Sequence, residues 1–147
     1  MKHKKYSQKN PIQGDGWRAF SEVCYDISAL DLGPHATALL CEMNAAIKSG
    51  MPIVVIILAA TIADVVLNEG KIVPGGADNA LGMGMDWLTA AERRQLDWLR
   101  GLRNKLIHYE GVITGLGGTD SDEKLLRKDA DKALLAISPL LAGLEQF

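Results

Sequence analysis

Apolar residues recur at three- and four-residue spacing along most of the chain, the signature of helices with one buried face. Phe20, Val23, Cys24, Ile27 and Leu30 mark a first helix from Trp17 to about Leu30, which Gly33 and Pro34 break. Ala36, Leu39, Leu40, Met43, Ala46 and Ile47 form the stripe of a second helix, His35 to Ser49, and Gly50 reads as its C-cap. Pro52 suits the first turn of a third helix that runs to Glu69 and stops at Gly70. The segment Gly70 to Leu88 holds five glycines and one proline and reads as a connector, since it lacks the glycine and lysine spacing of a phosphate-binding loop. Thr89 and Glu92 form a capping box that opens a fourth helix, with Leu96, Leu99, Leu102 and Leu106 inward and an end near Tyr109, before Gly111. After a loop through Gly115, Gly117 and Gly118, Asp120 or Ser121 is expected to cap a fifth helix. Its buried side is marked by Leu125, Leu126, Ala130, Ala133, Leu134 and Ile137, and Pro139 is expected to kink or restart it. Short links between long helices predict an all-α, five-helix, up-and-down bundle, with no strand signal to compete.

The opening sixteen residues carry four lysines and no acid before Asp15, with Pro11, Gly14 and Gly16 as breakers. They read as a flexible basic arm (1–16) ahead of a single helical domain (17–147). Met51 to Leu67 is apolar for almost seventeen residues, close to the shortest bilayer span. Asp64 interrupts it, no aromatic residue flanks it, and no second such run exists, so a core helix and no membrane contact is expected.

The whole chain has 147 residues, 48% of them apolar and 23% charged, which suits one soluble domain with one core. Its formal net charge of −2 argues against coating nucleic acid through bulk positive charge. Cys24 and Cys41 are too few for a zinc site, and the histidines His3, His35 and His108 have no metal-ligand spacing, so no metal and no cofactor is expected. Reduced thiols and the lack of an apolar signal segment point to the cytoplasm. Trp87 and Trp98, flanked by leucines, read as core or dimer-contact residues.

The chemistry gathers at the end of the fourth helix, in LRNKLIHYEG (Leu102 to Gly111). From Arg93 to His108 there are five Arg or Lys residues against one acid, Asp97, which reverses the balance of the chain. Asn104 and His108 lie about 40° apart on the helix surface and can share a substrate, whereas Arg103 lies about 140° from His108. Arg103 could reach the same cleft from the side or meet its counterpart across a two-fold axis. Arg100, one turn before Asn104, together with Lys105 and Tyr109, makes the set of candidate substrate contacts. Cleaving an RNA backbone needs a base for the 2′-OH, an acid for the leaving 5′-oxygen, and positive charge for the phosphorane oxygens. Histidine can serve as base or acid near neutrality, and the arginine fork matches two phosphate oxygens. Basic residues also favour the last turn of any helix, where they face the negative end of its dipole. Asp64 must either pair, with Arg103 the obvious partner that would orient the motif, or face solvent.

Arg103, Asn104 and His108, with three residues between the last two, resemble the R-N-x-x-x-H signature of the HEPN superfamily, small all-α bundles that include toxin ribonucleases. The preceding WLRGL and the following Tyr109 are similar to the flanks common around that signature. The resemblance implies a homodimer with two motifs facing one cleft, and metal-independent endoribonuclease chemistry. Arg103 would then stabilise the phosphate, Asn104 position it, and His108 act as general acid or base. RNA, a second copy, and an antitoxin or nucleotidyltransferase are the partners it implies. Several toxin members carry a tyrosine two residues after the histidine; here Glu110 stands there and Tyr109 comes directly next. Other members bind or regulate without cutting.

Overall fold

The computed structural model describes residues 10–72, 87–108 and 116–145. Among them are five α-helices, one short 3₁₀ turn and no strand: α1 (Asp15–Val23), the turn (Ile27–Ala29), α2 (Pro34–Lys48), α3 (Pro52–Ile72), α4 (Ala90–His108) and α5 (Asp120–Ala142). The protein is thus an all-α helical bundle. Its centre is α3, which packs against α2, α4 and α5, while α5 also receives α1. In the middle of α3, Val55, Ile56, Ala59, Ala60, Ile62 and Ala63 are completely buried. Among the described residues no helix is long and apolar enough to cross a membrane.

Helix α1 departs from its expected span at both ends. It begins at Asp15 rather than Trp17, because capping is supplied from elsewhere: the backbone N–H groups of Gly16 and Trp17 donate to the two carboxylate oxygens of Asp131 on α5, at 3.0 and 2.8 Å. A Cβ on Gly16 would stand 1.8 Å from the Asp131 carbonyl oxygen, so only glycine lets α1 lie this close to α5. The helix stops at Val23, before Leu30, because Asp26 turns extended and its carboxylate accepts the Ser28 N–H at 3.1 Å, which starts the 3₁₀ turn instead. Upstream, the Ile12 side chain is buried and its N–H donates to the Ile47 carbonyl at 2.9 Å. The arm expected over 1–16 therefore gives way to anchored chain by Ile12, and residues 1–9 lie outside the described residues. Asp131→Ala, which strips two N–H groups of their acceptor, is expected to cost about 1–2 kcal/mol in denaturant titration, with α1 loosening first.

The other helices follow local signals. Gly50 takes φ 66°, a left-handed value, and the N–H groups of Gly50 and Met51 return to the Ile47 and Ala46 carbonyls, closing α2 in a Schellman arrangement. Helix α3 runs through Gly70 to Ile72 rather than stopping there, since a helical glycine costs only about 1 kcal/mol. The Thr89 and Glu92 box forms, with mutual bonds of 2.8 and 3.1 Å, and opens α4. Helix α5 is capped by Thr119 rather than Asp120 or Ser121, in a second box with Asp122. The Thr119 hydroxyl, then its backbone N–H, hold the Asp122 carboxyl below the usual range. Pro139 neither ends nor restarts α5. The carbonyl it leaves without a helical donor is that of Leu135, whose side chain is on the exposed face. Leu125, expected inside, is exposed. Most of the Gly70 to Leu88 connector lies outside the described residues.

Gly101 sits in mid α4, exposed, with nothing within 4 Å of where a Cβ would stand. Gly101→Ala is accordingly expected to stabilise the bundle by roughly 0.5–1 kcal/mol, seen as a higher denaturation midpoint with an unchanged slope.

Candidate functional site

Helices α3 and α4 pack together, and their contact brings one carboxylate under two guanidinium groups. Asp64 projects from α3, directly after the buried pair Ile62 and Ala63, and is 24% exposed. Arg103 Nη1 donates to Asp64 Oδ2 at 2.5 Å. Arg100 Nε stands 2.9 Å from the other oxygen, Oδ1. That second contact is close but not aligned as a hydrogen bond, so Oδ1 is compensated by charge while lacking a donor. Two arginines three positions apart on a helix are about 60° apart, which explains how both reach a single carboxylate.

Asn104 closes the other side of the Arg103 fork. Its Oδ1 accepts from Arg103 Nε at 3.3 Å and from Nη2 at 3.1 Å. The guanidinium is thus held between a carboxylate and an amide, and Arg103 is only 14% exposed. Of its five N–H groups, one on each Nη remains for another acceptor. One carboxylate faces two guanidinium charges, so the cluster keeps about one unit of positive charge, carried mainly at Arg100, which is 46% exposed.

The sequence-predicted residues therefore divide into two sets. Asp64, Arg100, Arg103 and Asn104 come together; of the two alternatives for Asp64, pairing is the one the structure adopts. Lys105 and His108 are exposed, Lys105 turned away from the two arginines and His108 about 40° round α4 from Asn104, and neither makes a hydrogen bond or ion pair with any described residue. Tyr109 lies outside the described residues. Sequence reasoning placed Arg100 among substrate contacts and missed its hold on Asp64, although the spacing to Arg103 carried that signal.

A separate cavity of about 280 Å³ lies between α1 and α2, walled by Trp17, Phe20, Leu40 and Ile47 with Cys24 at its side. Burial pushes the Cys24 thiol up to about 12, so it stays a neutral, poorly nucleophilic thiol at physiological pH. Trp87 is not a core residue: it is partly exposed, donates from Nε1 to the Pro139 carbonyl at 3.0 Å, and covers Gly143. Trp98 packs at the edge of the core beneath the Lys132 ammonium. Among the described residues no three His, Cys, Asp or Glu side chains gather as metal ligands.

Compared with known protein families, with curated proteins and with solved structures, the chain matches none.

Proposed function

We propose that this protein is a metal-independent endoribonuclease of HEPN type, a cytoplasmic homodimer whose composite site draws on both copies. The observation that carries the reading is the Arg103 guanidinium, fixed by Asp64 and Asn104 with N–H groups to spare, on the same helix as a solvent-reachable His108 that has no partner among the described residues. Within one copy the two side chains diverge by about 140° around α4, so they meet only if His108 of one copy approaches Arg103 of another. In that cleft an imidazole takes the proton of the ribose 2′-OH as the oxygen attacks phosphorus. The P–O5′ bond breaks, water in the open groove supplies the leaving oxygen's proton, the imidazolium returns its own proton to the hydroxide so formed, and a 2′,3′-cyclic phosphate remains. The arginines hold the phosphorane oxygens, in which negative charge builds up during the step. A toxin or defence role beside an antitoxin or nucleotidyltransferase partner fits a cutting activity of this kind.

The test is cleavage of labelled RNA in EDTA by the wild type, His108→Ala and Arg103→Ala. Cutting that both substitutions abolish supports the reading; equal cutting by all three marks a contaminant and rejects it.

The small exposure of Arg103 favours one second reading, a module that holds RNA, nucleotide or a protein partner without cutting. Binding without cleavage, lost in Arg103→Ala, would select it.

A further inference from the structure

Helix α5 presents Lys124, Lys128 and Lys132 at successive four-residue steps, all exposed. Like charges at that spacing disfavour a helix by a few tenths of a kcal/mol per pair, so the row does not serve the stability of α5. Two of the carboxylates near the row are committed elsewhere: those of Asp122 and Asp131 cap α5 and α1. Among the described residues, Lys124 and Lys128 make no hydrogen bond or ion pair. Lys132 reaches across to α4, its ammonium 4.1 Å from the centre of the Trp98 ring, and so joins the row to that helix.

On the same side of α4 as Trp98 stand Gly101 and Lys105, one and two turns further on, both exposed. Gly101 is a second local cost with no return in the fold, since a mid-helix glycine facing open space gives up about 1 kcal/mol to alanine. Two adjacent helices thus each sacrifice a little stability on one shared face. Such violations are expected where a surface serves something outside the molecule. The carboxylates on or beside this face are Asp97 and Asp120, both exposed, and Asp129, part-buried and drawn to Lys132, so the four lysines keep a small excess of positive charge in a chain whose total is −2.

We infer that the α4–α5 face carrying Lys105, Lys124, Lys128 and Lys132 is a docking surface for the phosphate backbone of RNA, with Gly101 as its point of closest approach. This rests on the ribonuclease reading for the identity of the polyanion, but it uses none of the residues of the Asp64 cluster. Evenly stepped ammonium groups suit a repeating phosphate chain, which they contact as point charges without reading bases.

The experiment measures binding of a fluorescent 20-nucleotide single-stranded RNA to the full chain carrying His108→Ala, with and without Lys124→Gln and Lys128→Gln, across a salt series. The lysine pair is expected to weaken binding about tenfold at 0.1 M salt and to flatten the log–log salt slope by about 1.4, the value for two lost phosphate contacts. Unchanged affinity and slope, no RNA binding by either protein, or lysine-dependent binding to phosphatidylserine vesicles in place of RNA would overturn the inference. Cleavage by the otherwise wild-type chain separates the two proposals. Lysine-dependent binding without any cleavage keeps the surface and removes the ribonuclease; cleavage indifferent to the lysine pair does the reverse.

Discussion

Asp64→Ala is expected to lower stability by about 2 kcal/mol, a drop in melting temperature of roughly 4–8 °C for a chain of this size. Removing one partner of a fully buried ion pair costs about 3–5 kcal/mol, because the remaining charge is left desolvated. Arg103 is 14% exposed and Asp64 24%, so water recovers part of that loss and the figure falls below the buried range. Alanine also leaves Arg100 and Arg103 side by side with no anion between them. Arg100→Ala, by contrast, removes a 46% exposed partner whose contact is not a hydrogen bond, and should cost well under 1 kcal/mol. Arg103→Ala falls between, because Arg100 stays to compensate the carboxylate. Denaturant titration of the three variants orders them. An Asp64→Ala protein within 0.5 kcal/mol of the wild type would mean that the carboxylate does not hold the two helices' polar contact.

The features legible in the sequence are those encoded within a turn or two of chain. The Thr89 and Glu92 box, the Gly50 cap and the Pro52 start each need only neighbours three to six residues away, and each is present. The end of α1 was not legible, since Ile27 and Leu30 satisfy a helical spacing equally well from a 3₁₀ turn. The Asp26 carboxylate starts that turn locally, but what holds Leu30 there is distant: the Asp31 N–H bonds to the Leu144 carbonyl, and Leu30 is buried beside that bridge. The cap of α1 comes from Asp131, 115 positions away from Gly16, and no local pattern announces it. The Thr119 cap lost to Asp120 and Ser121 in the sequence because all three residue types cap well, and only the return bond from Asp122 selects among them. At the candidate site, periodicity correctly separated Arg103 from His108 around α4. It could not tell how far the Arg103 fork would be occupied, because that depends on how α3 is set against α4.

That separation makes the second large effect the more informative one. His108→Ala is expected to reduce RNA cleavage by about 10²–10⁴-fold, the range for losing a general acid or base, with little loss of stability because the side chain is exposed and unpaired among the described residues. Arg103→Ala should lose a comparable 10²–10³-fold, as for removal of one donor to a developing oxyanion, together with some stability. The two defects are then combined in trans. If the site takes its imidazole from one copy and its guanidinium from the other, a dimer with one copy of each variant contains one intact and one doubly defective site. An equal mixture that exchanges freely is half mixed dimers, so it should recover about a quarter of wild-type activity. Sites confined to single copies would recover nothing, since each chain lacks one essential group. A strict monomer in sedimentation, or a mixture as inactive as its components after verified exchange, would leave His108 and Arg103 facing different directions with no common substrate.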